Sequence, residues 1–309
     1  MCLILALGIL TPLLGVERTV QKIFPVGAGA ALKLDTYRGS IIIEDSDDAQ
    51  IRAEVRIALA TEDPAVADRI MKNLELELTS DGDTVTVRAR NPTESRARFT
   101  WTDQKLDLSF HIRVPRSCHL DLTTIDGDIT VGAITGRVVA RARAGTISCR
   151  QIDGSVQAAL DLGEIVVSRC TGAVDLGVTR GNIRAGTIFG TAKLRNASGD
   201  IEIQSARGGV DATTAAGNVT AGFPKQLQGA SNIKADGGSI LARLDPAVRC
   251  DVRASSIWGQ VQTALPFAAP PGGNSKRLVA GKLNGGGPLI TLHASGGNVK
   301  LVSFAEFIE

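Results

Sequence analysis

Aromatic residues are scarce in this 309-residue chain: 4% of positions, with eight Phe, two Trp and one Tyr. A core built around large rings is therefore excluded, and Ile, Val, Leu and Ala must fill the interior. No sign of charge dominates either, since 34 Lys and Arg face 32 Asp and Glu for a net charge of +2. That balance leaves no electrostatic footprint for nucleic acid or for an anionic membrane surface. The five cysteines include no CxxC pair and no dense framework, which excludes a disulfide-stapled scaffold. Phosphate loop, nucleophile elbow, HExxH and dinucleotide fingerprint are all missing, so no cofactor is expected. The one long uncharged apolar segment, residues 1–16, is short for a membrane helix of about 20 residues and has the form of a secretory signal without its basic start.

Glycine, by contrast, is plentiful at 34 residues, and from Gly127 to Gly217 it falls at every ninth position. Counting each glycine as one, positions three and five are nearly always apolar, as in GDITV, GTISC, GEIVV, GNIRA and GDIEI. Apolar residues two apart share one face of a strand. Nine residues are too few for a helical repeat but suffice for a short strand and a corner. Alternate units differ: one kind carries Ile134, Ile152, Cys170, Ile188 and Ala206 at its eighth position, the other Ala142, Leu160 and Val178 at its seventh. The period is thus eighteen, two strands and two unlike corners per coil. The chain reads as all-β, a single-stranded β-solenoid (β-helix-like) with about 18 residues per coil in its central part. The glycines are the corners, needed for positive φ or close stacking.

A solenoid domain over residues 20–303 follows, with 127–221 its most regular coils and 304–309 a C-terminal tail. Within 61–74 the pattern breaks: Asp63 can cap, Pro64 suits a first helical position, and Val66, Ile70, Met71 and Leu74 share a helical face, predicting one short helix near the N-terminal end. Exposed terminal strands invite self-association, and such a helix covers an end or flank of the tube. Asp81-Gly82-Asp83 marks a hairpin turn between LELEL and VTVRAR. Residues 91–104 and 268–276 read as loops, and Leu289–Leu292 with Gly297–Leu301 supply the last coil, closed by Phe304, Phe307 and Ile308.

Several stretches in order carry a resemblance. Phe24–Leu34 has the form F-x-V-x-x-G-x-x-L-x-L with one residue inserted, and GSIII follows at Gly39–Ile43. A strand ends in Val114-Pro115, the G-D-I-x-V units follow, and LNGGGPLITLHASGGNVKL closes the series at Leu283–Leu301. Together they resemble the bacterial "putative adhesin" β-solenoid domain family, a domain family of unknown function, over about residues 20–303. The resemblance implies a solenoid, often with a signal peptide or membrane anchor, a role at the cell envelope, and no catalytic residues.

Chemistry has few candidates. After alternate corner glycines stands a row of Asp128, Thr146, Glu164, Asn182, Asp200 and Asn218. Stacked at about 4.8 Å, such side chains can gather a cation or an acid pair, yet amides and hydroxyls separate the acids, as ordinary corner chemistry requires. This row, with Asp128, Glu164, Asn182, Asp200 and Asn218 as its core, is the candidate interaction site. His111, Cys118 and His119 are close in sequence, but alternation points the histidines outward and Cys118 inward, against a zinc site. His293 has no identifiable partner. Cys149 and Cys170 occupy positions held elsewhere by Val, Ala or Ile and read as buried thiols rather than a bridge. Arg137, Arg141, Arg143 and Arg150 form one basic patch, and Arg88, Arg90, Arg96 and Arg98 another. Trp101 beside Phe99 covers a core edge or stacks on a sugar.

The expectation is an exported, non-enzymatic scaffold or adhesion module at the cell envelope, in the periplasm or at the cell surface, meeting a protein or glycan. A cytoplasmic location stays open because the leader lacks a basic start. A polysaccharide-active β-helix enzyme would need outward acids on adjacent coils, and Asp175, Lys193 and Asp211 are the best placed. A self-polymerising, bactofilin-like scaffold would need uncapped ends.

Overall fold

The computed structural model describes residues 16–61, 63–91, 106–268 and 274–304. Residues 1–15 of the expected leader, Arg96, Arg98, Phe99, Trp101, the centre of the Pro/Gly-rich loop, Phe307 and Ile308 lie outside them. The chain opens with β1 (Val16–Pro25), β2 (Ala31–Thr36), β3 (Ser40–Ser46), β4 (Gln50–Leu59), helix α1 (Pro64–Asn73), β5 (Glu75–Asp81), β6 (Thr84–Arg90) and β7 (Leu106–Pro115). The central run is β8 (His119–Asp126), β9 (Ile129–Ile134), β10 (Val138–Ile152), β11 (Val156–Cys170), β12 (Val174–Ile188), β13 (Ala192–Ser198), β14 (Ile201–Ala206), β15 (Val210–Ala216) and β16 (Val219–Phe223). Last come β17 (Ser231–Ala235), β18 (Ile240–Leu244), β19 (Cys250–Ser256), β20 (Val261–Thr263), β21 (Leu278–Leu283), β22 (Leu289–Ala294) and β23 (Val299–Ser303).

These strands form two ladders whose inner faces enclose one continuous apolar core. The first ladder runs β5-β6-β2-β8, through the first halves of β10, β11 and β12, to β13-β15-β17-β22-β19-β21. The second runs β1-β4-β7-β3-β9, through the second halves of β10 to β12, to β14-β16-β18-β23-β20. Wherever β10 pairs with β11 the partner is the residue eighteen later, and β11 pairs likewise with β12. The eighteen-residue coil is therefore the physical layer. The apolar third position becomes a stack of Ile41, Ile129, Ile147, Ile165, Ile183 and Ile201, all buried, in six successive layers. Identical β-branched side chains fit this stack because each meets the same pleat geometry one layer on.

The two corners differ as the half-units do. Gly127, Gly145, Gly163, Gly181, Gly199 and Gly217 all have positive φ, +136° at Gly181. At the opposite corner Gly172 has no such φ, but a Cβ there would collide with the carbonyl of Gly154 one coil back. One edge requires left-handed backbone and the other only close stacking. Near the first edge the inward seventh position also takes polar residues. Asn196 Nδ2 donates to Gly181 O at 2.7 Å, and Thr214 Oγ1 to Gly199 O at 3.0 Å. Both side chains are buried, and each satisfies a corner carbonyl of the coil before it.

At the ends, order in space departs from order in sequence. Coil β2/β3, first along the chain, lies between β6/β7 and β8/β9. The last coil along the chain, β22/β23, lies between β17/β18 and β19/β20. Leu289–Leu301 supplies the last coil along the chain but not the outermost layer: β19/β20 and the antiparallel β21 lie beyond it. Phe304 does not close the far end either; its ring lies beside Gly222 of β16. The predicted helix is present, with Asp63 Oδ1 accepting from Ala65 N at 2.9 Å and Pro64 in the first turn. It joins β4 of the second ladder to β5 of the first, with Ala67 buried and Ile70, Met71 and Leu74 packed on the core. Among the described residues no helix is long and apolar enough to cross a membrane.

Candidate functional site

The predicted corner row does stack, and its oxygens point along the tube. Asp128 Oδ1 accepts from Thr146 N at 2.7 Å, Asn182 Oδ1 from Asp200 N at 3.0 Å, and Asp200 Oδ1 from Asn218 N at 2.7 Å. Asn218 Oδ1 accepts from Ser239 N at 2.9 Å, and the chain of bonds continues through Ser239 and Asn298 to Gln260. Each side chain thus caps the backbone of the next coil, as in an Asx turn spread over two layers. Glu164 departs from the pattern, because its carboxylate pairs with Arg184 at 2.8 Å. The acids Asp128, Glu164 and Asp200 stand two layers apart, roughly 10 Å along the tube.

The outer face of the first ladder is less occupied. Asp175, Lys193, Asp211, Asn232 and Thr291 form one outward column over five successive layers. Four of them, Lys193 to Thr291, line an open groove of about 480 Å³ with exposed Leu289. Its floor is small: Ala192, Gly209, Val210, Ala230 and Ser231. A second groove of about 600 Å³ lies nearer the glycine edge, between Asp161, Thr179, Arg195 and Thr213. It is open because Gly177 has no side chain and nothing stands within 4 Å of where a Cβ would be. Three ion pairs on the outer faces of the two ladders follow a rule of twenty, eighteen for the coil and two for the strand. Arg141 pairs with Asp121 at 2.9 Å, Arg184 with Glu164 and Arg195 with Asp175 at 3.3 Å. These exposed diagonal pairs are the solenoid counterpart of i,i+4 pairs on a helix.

The histidines are occupied otherwise than as ligands. His111 Nε2 lies 2.9 Å from Glu44 Oε2, and this hydrogen bond, aided by Arg113, holds the Glu44 carboxyl below its ordinary range. His119 Nδ1 accepts from Arg137 N at 3.1 Å. The expectation that His293 lacks a partner is corrected: its Nδ1 lies 3.0 Å from Ser255 Oγ, on the neighbouring strand. No group of three or more His, Cys, Asp and Glu among the described residues is placed to hold a metal ion. Cys149 and Cys170 are buried, free thiols, as is Cys118, and burial pushes Cys149 and Cys118 up to about 12. Of the basic patches, Arg141, Arg88 and Arg90 are paired with Asp121, Glu77 and Asp35.

Sequence reasoning missed two surface features. Trp258, at the corner between β19 and β20, is 78% exposed. Phe189, at the corner opposite the acid/amide row, has the guanidinium of Arg169 at 4.8 Å from its ring centroid and that of Arg207 at 4.7 Å. Phe189 and Arg207 are eighteen apart, so the repeat itself held the signal for that pair. Arg169 reaches the ring diagonally, by the same plus-two offset that the ion pairs use.

Among curated proteins none matches the chain. Several solved structures are similar to it over nearly their whole length. A putative adhesin from Bacteroides fragilis is 12% identical, with 93% of this chain and 97% of that one covered and a TM-score of 0.40. A putative lipid binding protein from Parabacteroides distasonis is 12% identical, with 92% and 96% covered and a TM-score of 0.41. A putative adhesin from Parabacteroides merdae is 12% identical, at 92% and 96% coverage and a TM-score of 0.36. The Toastrack DUF4097 family model matches residues 30–302, from β2 into β23, and so takes in both interleaved end coils. The chain belongs to the Toastrack DUF4097 family, a domain family of unknown function, and the resemblance carried by its sequence motifs holds.

Proposed function

We propose that this chain is a non-enzymatic interaction module of the cell envelope, whose first-ladder face presents a polar groove to a glycan. The observation that carries this reading is the column Lys193, Asp211, Asn232 and Thr291 beside exposed Leu289. An ammonium, a carboxylate, an amide and a hydroxyl in successive layers offer donors and acceptors at the spacing of the coils, about 4.8 Å. A floor of small, mostly apolar residues with a few fixed polar groups is the usual composition of a ligand site. The acid/amide row supports a scaffold role rather than contact, because its oxygens already cap backbone N–H groups.

The enzyme reading has one observation in its favour: Asp175, Lys193 and Asp211 do stack on adjacent layers. Asp175, however, is paired with Arg195, which leaves Lys193 and Asp211 as neighbours in the column. Titrating the purified chain with a panel of soluble polysaccharides separates the two. Binding without release of reducing ends, weakened about tenfold by Lys193→Ala with Asp211→Ala, is the expected result. Steady release of reducing ends that the same substitutions abolish would establish the enzyme instead.

A further inference from the structure

We infer that Arg169, Phe189 and Arg207 form an anion-binding site on the edge of the tube opposite the acid/amide row, and that it receives the carboxylates of an acidic polysaccharide. The choice of polysaccharide rests on the groove reading above; the anion site itself does not.

The two edges differ in what their side chains must do. On the glycine edge, side-chain oxygens satisfy the next coil's backbone. On the opposite edge the backbone satisfies itself: Thr171 N donates to Ile152 O at 3.0 Å, Phe189 N to Cys170 O at 3.0 Å and Arg207 N to Ile188 O at 2.9 Å. Apart from the buried Cys170 Sγ, which donates to Gly154 O, the corner backbone there needs no side-chain partner, and Arg169, Phe189 and Arg207 serve none. Even so, two guanidiniums converge on one ring, Arg169 from the coil below and Arg207 from the coil above, within 4.8 and 4.7 Å of its centroid. The ring's negative face offsets part of their mutual repulsion.

The rule that pairs arginines elsewhere fails at both. Twenty residues before Arg169 stands Cys149, and twenty before Arg207 stands Thr187, so neither has a carboxylate at that spacing; Asp153, at the same corner and sixteen residues before Arg169, is not paired with it. Among the described residues no carboxylate forms an ion pair with either guanidinium. Each guanidinium is thus held over the ring without a carboxylate partner, and a guanidinium's N–H fork takes a carboxylate through two parallel hydrogen bonds. Neighbouring side chains in register, Gln151, Thr187 and Ser205, are polar and at least partly exposed. An apolar collar suited to a bilayer is therefore missing at this spot, which favours a polymer over a lipid headgroup. Phe189 and Arg207 also lead directly into Thr191 and Gly209, which line the first groove. A chain lying in the groove and running off this edge would pass the stack.

The test uses the purified chain in affinity electrophoresis and calorimetry against polygalacturonate, its fully methyl-esterified form, and phosphatidylglycerol vesicles. The expected result is binding to polygalacturonate, little to the ester, and a loss of about tenfold or more in Arg169→Gln/Arg207→Gln. Arg18→Gln, on β1 at the first end of the second ladder, serves as a charge control and should bind as the parent does. Circular dichroism confirms that each variant folds. Equal binding by the double variant, or an equal loss in Arg18→Gln, overturns the site. Vesicle binding that depends on both arginines without polygalacturonate binding overturns the choice of polysaccharide. Acid binding that survives Lys193→Ala/Asp211→Ala but not the arginine substitutions sinks the groove and leaves the anion site standing. Equal binding of acid and ester, sensitive only to the groove substitutions, does the reverse.

Discussion

A residue in this tube is constrained by its position in the coil more than by its neighbours in sequence. Gly181 and Gly177 are four apart and illustrate the point. Gly181 has φ +136° and its missing Cβ would strike the carbonyl of Gly163, whereas Gly177 has open space around it. Gly181→Ala should therefore cost about 2 kcal/mol or more, and Gly177→Ala should fall within about 0.5 kcal/mol of the parent. Urea denaturation of the two variants checks the contrast, and equal effects would contradict the corner assignment. Cys149 makes a second case. It stands in register between Val131 and Val167, and burial, with a smaller effect of Cys170, pushes its thiol up to about 12. A thiol whose folded pKa is raised stabilises fully below its unfolded value, near 8.5, and that stability fades as pH rises towards 12. At pH 7 Cys149→Val should match the parent within about 1 kcal/mol. At pH 10.5 it should be the more stable of the two, by on the order of 2 kcal/mol, in urea midpoints measured under reducing conditions.

At the scale of elements, the ends depart from a simple stack. A solenoid built in sequence order can lose its last coil and keep the rest, because each coil touches only its neighbours. Here β22 pairs with both β17 and β19, and β23 with both β18 and β20. A chain stopped at residue 288 would lose an inner layer and strand β19, β20 and β21 without support. Its expected behaviour is poor solubility and no cooperative thermal transition by circular dichroism. A truncated chain that melts cooperatively within about 5 °C of the full one would refute the interleaving. The outermost strands also carry devices against edge-to-edge pairing: β20 is three residues long, and β1 exposes Glu17, Arg18 and Lys22. Glu17 is further held by Arg56 across the β1–β4 pair at 2.6 Å.

For the whole molecule, the outcome is a tube with one core and two unlike edges, whose end layers are built from coils interleaved out of sequence order. The part of this legible in the sequence was the part that repeats. A nine-residue glycine spacing alternating in type fixes strand length, corner and layer, because every coil meets the same geometry and selects the same residue types. Ile129 to Ile201 and the positive-φ glycines were readable for that reason, as were α1 with its Asp63-Pro64 start and the Gly82 hairpin. Which layers sit next to each other at the ends was not readable. Pairing between β2 and β8, or β22 and β19, joins residues far apart in sequence whose alternation fits any neighbouring strand.

The candidate site divides in the same way. The acid/amide row could be found from spacing, but only the fold reveals that its oxygens lie along the tube and cap the next coil's N–H groups. Arg169 and Arg207 flank Phe189 because the coil brings residues eighteen and twenty apart into contact across layers, which no local window displays. Sequence by itself determined the solenoid, its period and its unlike corners, since these follow from local sterics repeated in register. Tertiary structure alone decided the order of the end coils and which surface side chains remain free, since both depend on contacts between layers that the linear order does not encode.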